Sequence, residues 1–166
     1  MTKEQLFLAK IETHKGLLYK VSKMYMDQPE DQEDLFQEII YQLWKTYDNF
    51  RNESQFSTWM YRVAINTAIV FFKKERKKIN TQEIPSDNIK AEESDTHQKE
   101  KQLDIFYKAV YQLEKTEKAL ILYHLEGYSH KAIGESMGIS EVNARVKLNR
   151  IKSKLKDLIE QLNHEL

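Results

Sequence analysis

Apolar side chains recur along this chain at helical spacing, in blocks separated by polar breaks. Residues 3–26 carry Leu6, Leu8, Ile11, Leu18, Val21 and Tyr25 at roughly helical intervals, which predicts a first helix with Gly16 as its weak point. Pro29 marks a break, and Asp31 is the expected N-cap of a second helix. In that helix Leu35, Ile39, Leu43 and Tyr47 recur every four residues, flanked by Ile40 and Trp44. Residues 48–57 are polar and rich in Asn, Ser and Asp, and read as a loop. A third helix is expected from Thr58 to about Lys78, with Val63 to Phe72 apolar nearly all round and so buried on more than one face.

The pattern then changes. Pro85 and Ser86-Asp87-Asn88 break any helix, and Ala91-Glu92-Glu93-Ser94-Asp95 is acidic and polar. Residues 79–103 hold three Lys against six acids, too polar to bury a core, so 80–102 reads as an extended, self-repelling linker. Periodicity returns with Leu103, Phe106, Val110 and Leu113. Thr116 is the expected cap of a helix through Leu125, with Gly127 where a C′ glycine belongs. Ser129 caps a short helix bearing Ala132, Ile133 and Met137, Gly138-Ile139 turns the chain, and Ser140 caps a last helix. That helix lines up Ala144, Leu148, Ile151, Leu155, Leu158 and Leu162. The expectation is an all-α protein of two small helical domains, 1–79 and 103–166, joined by a flexible acidic linker.

Composition agrees with helices. Four Gly and two Pro in 166 residues are too few for a turn-rich β architecture. No apolar run approaches the roughly 18 residues of a membrane span, so no membrane insertion is expected. Met1-Thr2-Lys3-Glu4-Gln5 opens straight into the amphipathic pattern, without a signal-peptide core. The absence of cysteine excludes disulfides and thiolate metal sites and fits a reducing, cytoplasmic location. The five His show no metal-ligand spacing, and no phosphate loop or nucleophile elbow occurs. The expectation is therefore no catalytic residue, no metal, no cofactor and no enzymatic activity.

Net charge is zero, yet charge is segregated. Residues 30–38 hold Glu30, Asp31, Glu33, Asp34 and Glu38 without a base. Residues 73–78 hold Lys73, Lys74, Arg76, Lys77 and Lys78 against Glu75 alone, and 145–156 hold six basic residues and no acid. One acidic face and two basic segments point to two kinds of partner.

The stretch from Ser129 to Leu155 has the turn chemistry of a helix-turn-helix. Gly134 is small where the helices approach, Gly138 suits a positive φ, Ile139 plugs the core, and Ala144 is small and faces the first helix. The second helix presents Glu141, Arg145, Asn149 and Lys152 outward, with Asn143, Lys147, Arg150 and Lys154 beside them. Arg and Asn can read base edges, while Lys and the helix N-terminus at Ser140 can hold phosphates. A solvated amphipathic helix is the blander reading, and the coincidence of turn chemistry with an acid-free basic run favours DNA. In the N-terminal half, acids opening a helix are ordinarily dipole partners. The run Phe56-Ser57-Thr58-Trp59-Met60-Tyr61-Arg62, followed by a basic end, suits unpaired bases and phosphates, although Trp59 reads first as a core residue. On these residues alone, a free-standing regulator or a helical interaction module also stays open.

The motif D-x-E-D-L-x-Q-E-x-x-x-x-L-W from Asp31, the F-x-T-W-x-Y-R-x-A-x-N-x-A segment from Phe56 and the basic end together resemble region 2 of the sigma-70 family, in its short extracytoplasmic-function form. Leu113–Leu122 (L-E-x-x-E-K-A-L-I-L) and Glu126–Ser140 resemble its region 4. The resemblance covers nearly the whole chain apart from the linker. It implies an alternative sigma factor that binds core RNA polymerase and directs promoter-specific initiation. Core contacts, on the clamp helices of the largest subunit, would fall on Asp34, Gln37 and Glu38, with Leu35 and Ile39 alongside. The flap is the further polymerase contact that the family implies. Capture of the melted −10 strand would fall on Asn49, Phe50, Arg51, Asn52, Phe56, Arg62, Asn66, Lys73, Lys74, Arg76 and Lys77. Reading of the −35 duplex would fall on Ser140, Asn143, Arg145, Lys147, Asn149 and Arg150. Family habit also implies an anti-sigma factor. Val146 and Asn149 depart from the residues common in the family, which leaves the −35 sequence open.

Overall fold

The structure is a computed structural model that describes residues 1–52, 54–76 and 95–165, with side chains given except at 72–76 and 95. Helices and one short 3-10 turn account for its regular structure among these residues. The chain divides into two units, Met1–Lys73 and Lys74–Leu166.

In the first unit, α1 spans Lys3–Tyr25. Thr2 starts it with a capping box: the Gln5 N–H donates to Thr2 Oγ1 at 3.2 Å, and the Thr2 N–H donates to Gln5 Oε1 at 3.0 Å. Such a cap is worth about 1 kcal/mol. The buried stripe is Phe7, Ile11, Leu18, Val21 and Tyr25, with Met24 beside it. Leu6 and Leu8, which periodicity placed on this stripe, are 41% and 53% exposed. Three consecutive apolar residues subtend about 200° of a helix, and only the middle one lies in line with Ile11 and Leu18. Gly16 does not interrupt the helix, and a Cβ added there meets nothing within 4 Å. Gly16→Ala is therefore expected to raise stability by about 0.5–1 kcal/mol, measurable as a higher urea midpoint with an unchanged slope.

α2 spans Pro29–Thr46 and opens with Pro at its first position, where a missing N–H costs nothing. Its N-cap is Gln28, without a side-chain capping bond, and Asp31 lies inside the first turn. The expected Asp31 cap is thus corrected: proline's fixed φ starts the helix three residues earlier. Gln32 Nε2 donates to the Met26 carbonyl at 2.9 Å and closes the connection to α1. Leu35, Phe36, Ile39 and Leu43 are buried, and Phe36 stacks on Tyr19 with ring centroids 4.1 Å apart. A 3-10 turn, Tyr47–Asn49, follows. α3 spans Phe56–Arg76 and buries Met60, Tyr61, Ala64, Ile65 and Ala68. The expected burial on more than one face holds: between 63 and 71 only Asn66 and Val70 are exposed, while Val63, Thr67, Ile69 and Phe71 are half-buried. Arg62, Asn66 and Val70, four residues apart, form the one exposed stripe of this stretch.

In the second unit, α4 spans Asp95–Tyr111, so Asp95–Gln102 at the end of the expected linker is helical. Residues 80–94 of that linker lie outside the described residues. α4 buries Ile105, Ala109 and Val110, with Leu113 just beyond, whereas Leu103 is exposed. α5 spans Lys115–Leu125 and is capped at Glu114, whose N–H donates to Glu117 Oε1 at 3.0 Å; the expected Thr116 cap is corrected. Lys154 Nζ donates to the same Glu117 oxygen at 3.0 Å and ties the last helix to this helix start. The run Lys118–Tyr123 is buried throughout. Its end is a Schellman turn on Gly127 (φ 82°), with Tyr128 N–H on the Tyr123 carbonyl and Gly127 N–H on that of His124. α6 spans His130–Met137 and α7 spans Glu141–His164.

Candidate nucleic-acid and partner interfaces

The α6–α7 pair is a helix-turn-helix built from the predicted parts. Ser129 Oγ accepts from the Ala132 N–H, and Ser140 Oγ accepts from the Asn143 N–H, each at 3.1 Å. Gly138 turns the chain at φ 73°, and the Ile139 N–H donates to the Gly134 carbonyl at 2.9 Å. A Cβ on Gly134 would lie 2.6 Å from the Ile139 carbonyl oxygen and 3.3 Å from the Glu141 nitrogen, so only glycine lets the two helices come this close. Ala144, Leu148, Ile151 and Leu155 seat α7 on the core.

That seating leaves the predicted −35 residues outside. Ser140, Asn143, Arg145, Lys147, Asn149 and Arg150 are all exposed. Arg145, Asn149 and Lys152 follow one another at intervals of four and three, forming one ridge on α7. Val142 and Val146, 58% and 39% exposed, lie along the side facing away from the core. Sequence reasoning did not assign Val142 a place; its signal is a β-branched apolar residue on an otherwise polar outer face. Such a pair can contact thymine methyl groups. Beneath the ridge, the His124 pKa is lowered, first by burial and then by Lys152 and His130, so this imidazole is neutral near pH 7 and adds no charge there.

On α2, Asp34 and Gln37 are exposed and Glu38 is half-buried. Gln37 Nε2 donates to Glu33 Oε1 at 3.1 Å and Gln42 Nε2 donates to Glu38 Oε1 at 3.0 Å, so amides one turn along orient both carboxylates. Among the described residues Glu30, Asp31, Glu33, Asp34 and Glu38 form no ion pair. The Asp31 carboxyl is held above its ordinary pKa, first by burial, then by Asp34 and Glu30. Leu35 and Ile39, expected among the contacts, have no accessible surface. They are core residues: the resemblance set them alongside Asp34 and Glu38, but the four-residue period they share with Leu43 turns them inward.

The predicted −10 set spreads over the connection before α3 and over α3 itself. Asn49, Arg51 and Asn52 are exposed, and Asn52 adopts φ 58°, a left-handed conformation that asparagine tolerates. Phe50 and Phe56 are half-buried and meet edge-on at 5.6 Å. Trp59, read first as core, is also half-buried and lies 5.2 Å from Phe50 and 5.6 Å from Phe56. Arg62 and Asn66 are exposed one turn apart on α3. Lys73, Lys74 and Arg76 fall in its last turns, and Lys77 lies outside the described residues. Tyr47, His14 and Lys10 join the aromatic group without having been predicted. Among the described residues no group of His, Asp and Glu could hold a metal ion, and no helix is long and apolar enough to cross a membrane.

An acidic helix face in one helical unit and an exposed basic recognition helix in the other define a two-unit helix-turn-helix protein. Residues 11–78 match the model of sigma-70 region 2, and residues 103–155 match that of sigma-70 region 4. The RNA polymerase sigma factor SigZ of Bacillus subtilis (strain 168) is 30% identical over 132 residues, covering 80% of this chain and 74% of that protein. The ECF RNA polymerase sigma-E factor of Haemophilus influenzae is 26% identical over 141 residues, 78% of this chain and 75% of that protein. Among solved structures, the sigma factor RpoE in complex with the anti-sigma factor NepR from Bartonella quintana superimposes with a TM-score of 0.68 at 20% identity, over 93% of this chain and 96% of that one. CnrH in complex with the cytosolic domain of CnrY gives a TM-score of 0.66 at 14% identity, over 96% and 90%. The chain belongs to the sigma-70 family of RNA polymerase sigma factors, in its extracytoplasmic-function branch. It is a transcription initiation factor that directs RNA polymerase to promoters.

Proposed function

We propose a division of labour between the two units. Residues 1–79 dock on the clamp helices of core polymerase through Asp34, Gln37 and Glu38 and take up the melted −10 strand on Asn49, Phe50, Arg51, Asn52, Phe56, Arg62, Asn66 and the basic end of α3. Residues 103–166 read the −35 duplex with α7 and meet the flap, and 80–102 tether the two. The acidic face gives orientation and on-rate more than raw affinity. Binding unstacked bases offsets their unpairing cost of a few kcal/mol, so melting needs no catalytic group in this chain. Two modest DNA affinities joined by a tether reinforce each other through effective concentration. The protein acts in the cytoplasm, without enzymatic activity of its own. The RpoE–NepR and CnrH–CnrY complexes support an anti-sigma partner for this chain as well.

The observation that carries this reading is the exposed ridge of Arg145, Asn149 and Lys152 on a helix that only glycine at position 134 lets come so close to α6. Transcription by core polymerase from a genomic fragment library tests it. Wild type gives specific starts. Arg150→Ala binds core normally and loses about 5- to 100-fold in promoter-specific starts, the range of one bidentate base contact. Asp34→Ala assembles poorly with core from the outset. Normal holoenzyme assembly by Asp34→Ala removes the acidic face from the interface.

A further inference from the structure

Among its described residues, the connection between the 3-10 turn and α3 has little backbone bonding of its own. Phe50 N–H reaches the Tyr47 carbonyl, and Thr58 and Trp59 N–H reach that of Gln55. Side chains hold it instead. Tyr47, Phe50, Phe56 and Trp59 form a cluster of half-exposed rings, with Tyr47 6.3 Å from Phe56 and 6.4 Å from Trp59. From α1, Lys10 puts its ammonium 5.0 Å from the Phe56 ring centroid, 5.5 Å from Phe50 and 5.9 Å from Tyr47. His14 lies 5.7 Å from Phe56, and Phe7 lies 5.1 Å from Tyr47. Lys3 pairs with Asp48 at 2.6 Å and sits 4.9 Å from the Trp44 ring.

One lysine therefore bridges three rings that come from the 3-10 turn, the connection and the start of α3. It forms no ion pair among the described residues, so the ring faces are its partners. Each such contact is modest at a half-exposed site. Their combination matters because the rings at both ends of the connection share the cation. Lys3, Phe7 and Lys10 precede residue 11, where the match to region 2 begins.

We propose that Lys10 is a positioning residue for −10 recognition: its ammonium pins Tyr47, Phe50 and Phe56 so that the connection is held ready for an extruded base. This rests on the reading of Asn49, Phe50, Arg51, Asn52 and Phe56 as the base-receiving set. Lys10→Met keeps the apolar stem and removes the cation, whereas Lys10→Arg keeps a cation that also sits well on aromatic faces.

The test is transcription by reconstituted holoenzyme from templates carrying each base at each −10 position. Lys10→Met is expected to lower discrimination at the extruded base by about fivefold, with core affinity and −35 preference unchanged. Lys10→Arg is expected to restore it. Unaltered base preference in Lys10→Met overturns the proposal, and so does a parallel loss of core affinity that Lys10→Arg does not mend. Phe50→Ala separates the two failures. If it flattens base preference while Lys10→Met does not, the pin is wrong and the base-receiving reading stands. If neither variant changes base preference, that reading falls and the pin with it.

Discussion

Gly134→Ala is expected to abolish −35-dependent transcription while leaving assembly with core polymerase intact. Alanine in a helix interior is intrinsically better than glycine by about 1 kcal/mol, so on propensity alone the substitution should stabilise α6. Here the added Cβ would sit 2.6 Å from the Ile139 carbonyl oxygen and 3.3 Å from the Glu141 nitrogen. Both are backbone atoms at the start of α7, and neither can rotate away. Relief requires shifting α7 against α6, which breaks the Ile139–Gly134 hydrogen bond and the seating of Ala144. Overpacking of this kind costs about 1–3 kcal/mol and outweighs the propensity gain. Gly138→Ala makes a useful comparison. It has open space around its Cβ, and its penalty comes from φ 73° alone, about 1–2 kcal/mol. Gly138→Asn should recover much of that loss, because asparagine tolerates the left-handed region. No substitution can rescue Gly134. Thermal melts of the full chain, read beside transcription from promoters with and without a −35 element, check both. A Gly134→Ala protein with wild-type melting and wild-type −35 use would show that the helices do not meet as closely as described.

That turn was the most legible part of the sequence, and the reason is local. Ser129, Gly134, Gly138 and Ser140 act on atoms a few residues away, so type and spacing suffice to place them. Gly127 was legible for the same reason. Elsewhere local rules competed. Asp31 and Thr116 are good capping residues, yet Pro29 and the Glu114–Glu117 pair start those helices earlier. In Leu6-Phe7-Leu8, hydrophobicity alone gives no phase, and the phase is fixed by Ile11, Leu18 and Tyr25 farther along. The aromatic group was half legible. Phe50 and Phe56 were assigned to base capture, but nothing near Lys10 in the sequence says that its ammonium reaches rings some forty residues on. Lys118 is a similar case: a lysine in an apolar run reads as an exposed interruption, yet it is fully buried with its ammonium 4.5 Å from the Tyr111 ring. Contacts of this kind exist only once helices pack.

Leu35→Ala and Asp34→Ala are expected to give the same functional loss for opposite physical reasons, and the contrast fixes which residues form the polymerase-facing surface. Leu35 has no accessible surface and belongs, like Leu18, Val21, Ile39 and Leu43, to the buried core of the first unit, where α1 and α2 pack together. Truncating a leucine at such a site costs about 2–5 kcal/mol. A unit of this size draws its stability from one small core, so that loss unfolds a large share of molecules at growth temperature. Core binding then fails because α2 is no longer held in place. Asp34 is exposed in a cluster of like charges, and its removal relieves the repulsion that helps to raise the Asp31 pKa. Asp34→Ala should therefore melt no lower than wild type while binding core poorly. Chemical denaturation followed by circular dichroism, paired with core affinity measured by fluorescence anisotropy, separates the two. Adding a stabilising Gly16→Ala should partly restore core binding to Leu35→Ala and do nothing for Asp34→Ala. If instead Leu35→Ala is as stable as wild type and still fails to bind, the leucine side chain reaches the partner, and α2 turns a different face to polymerase from the one its buried stripe defines.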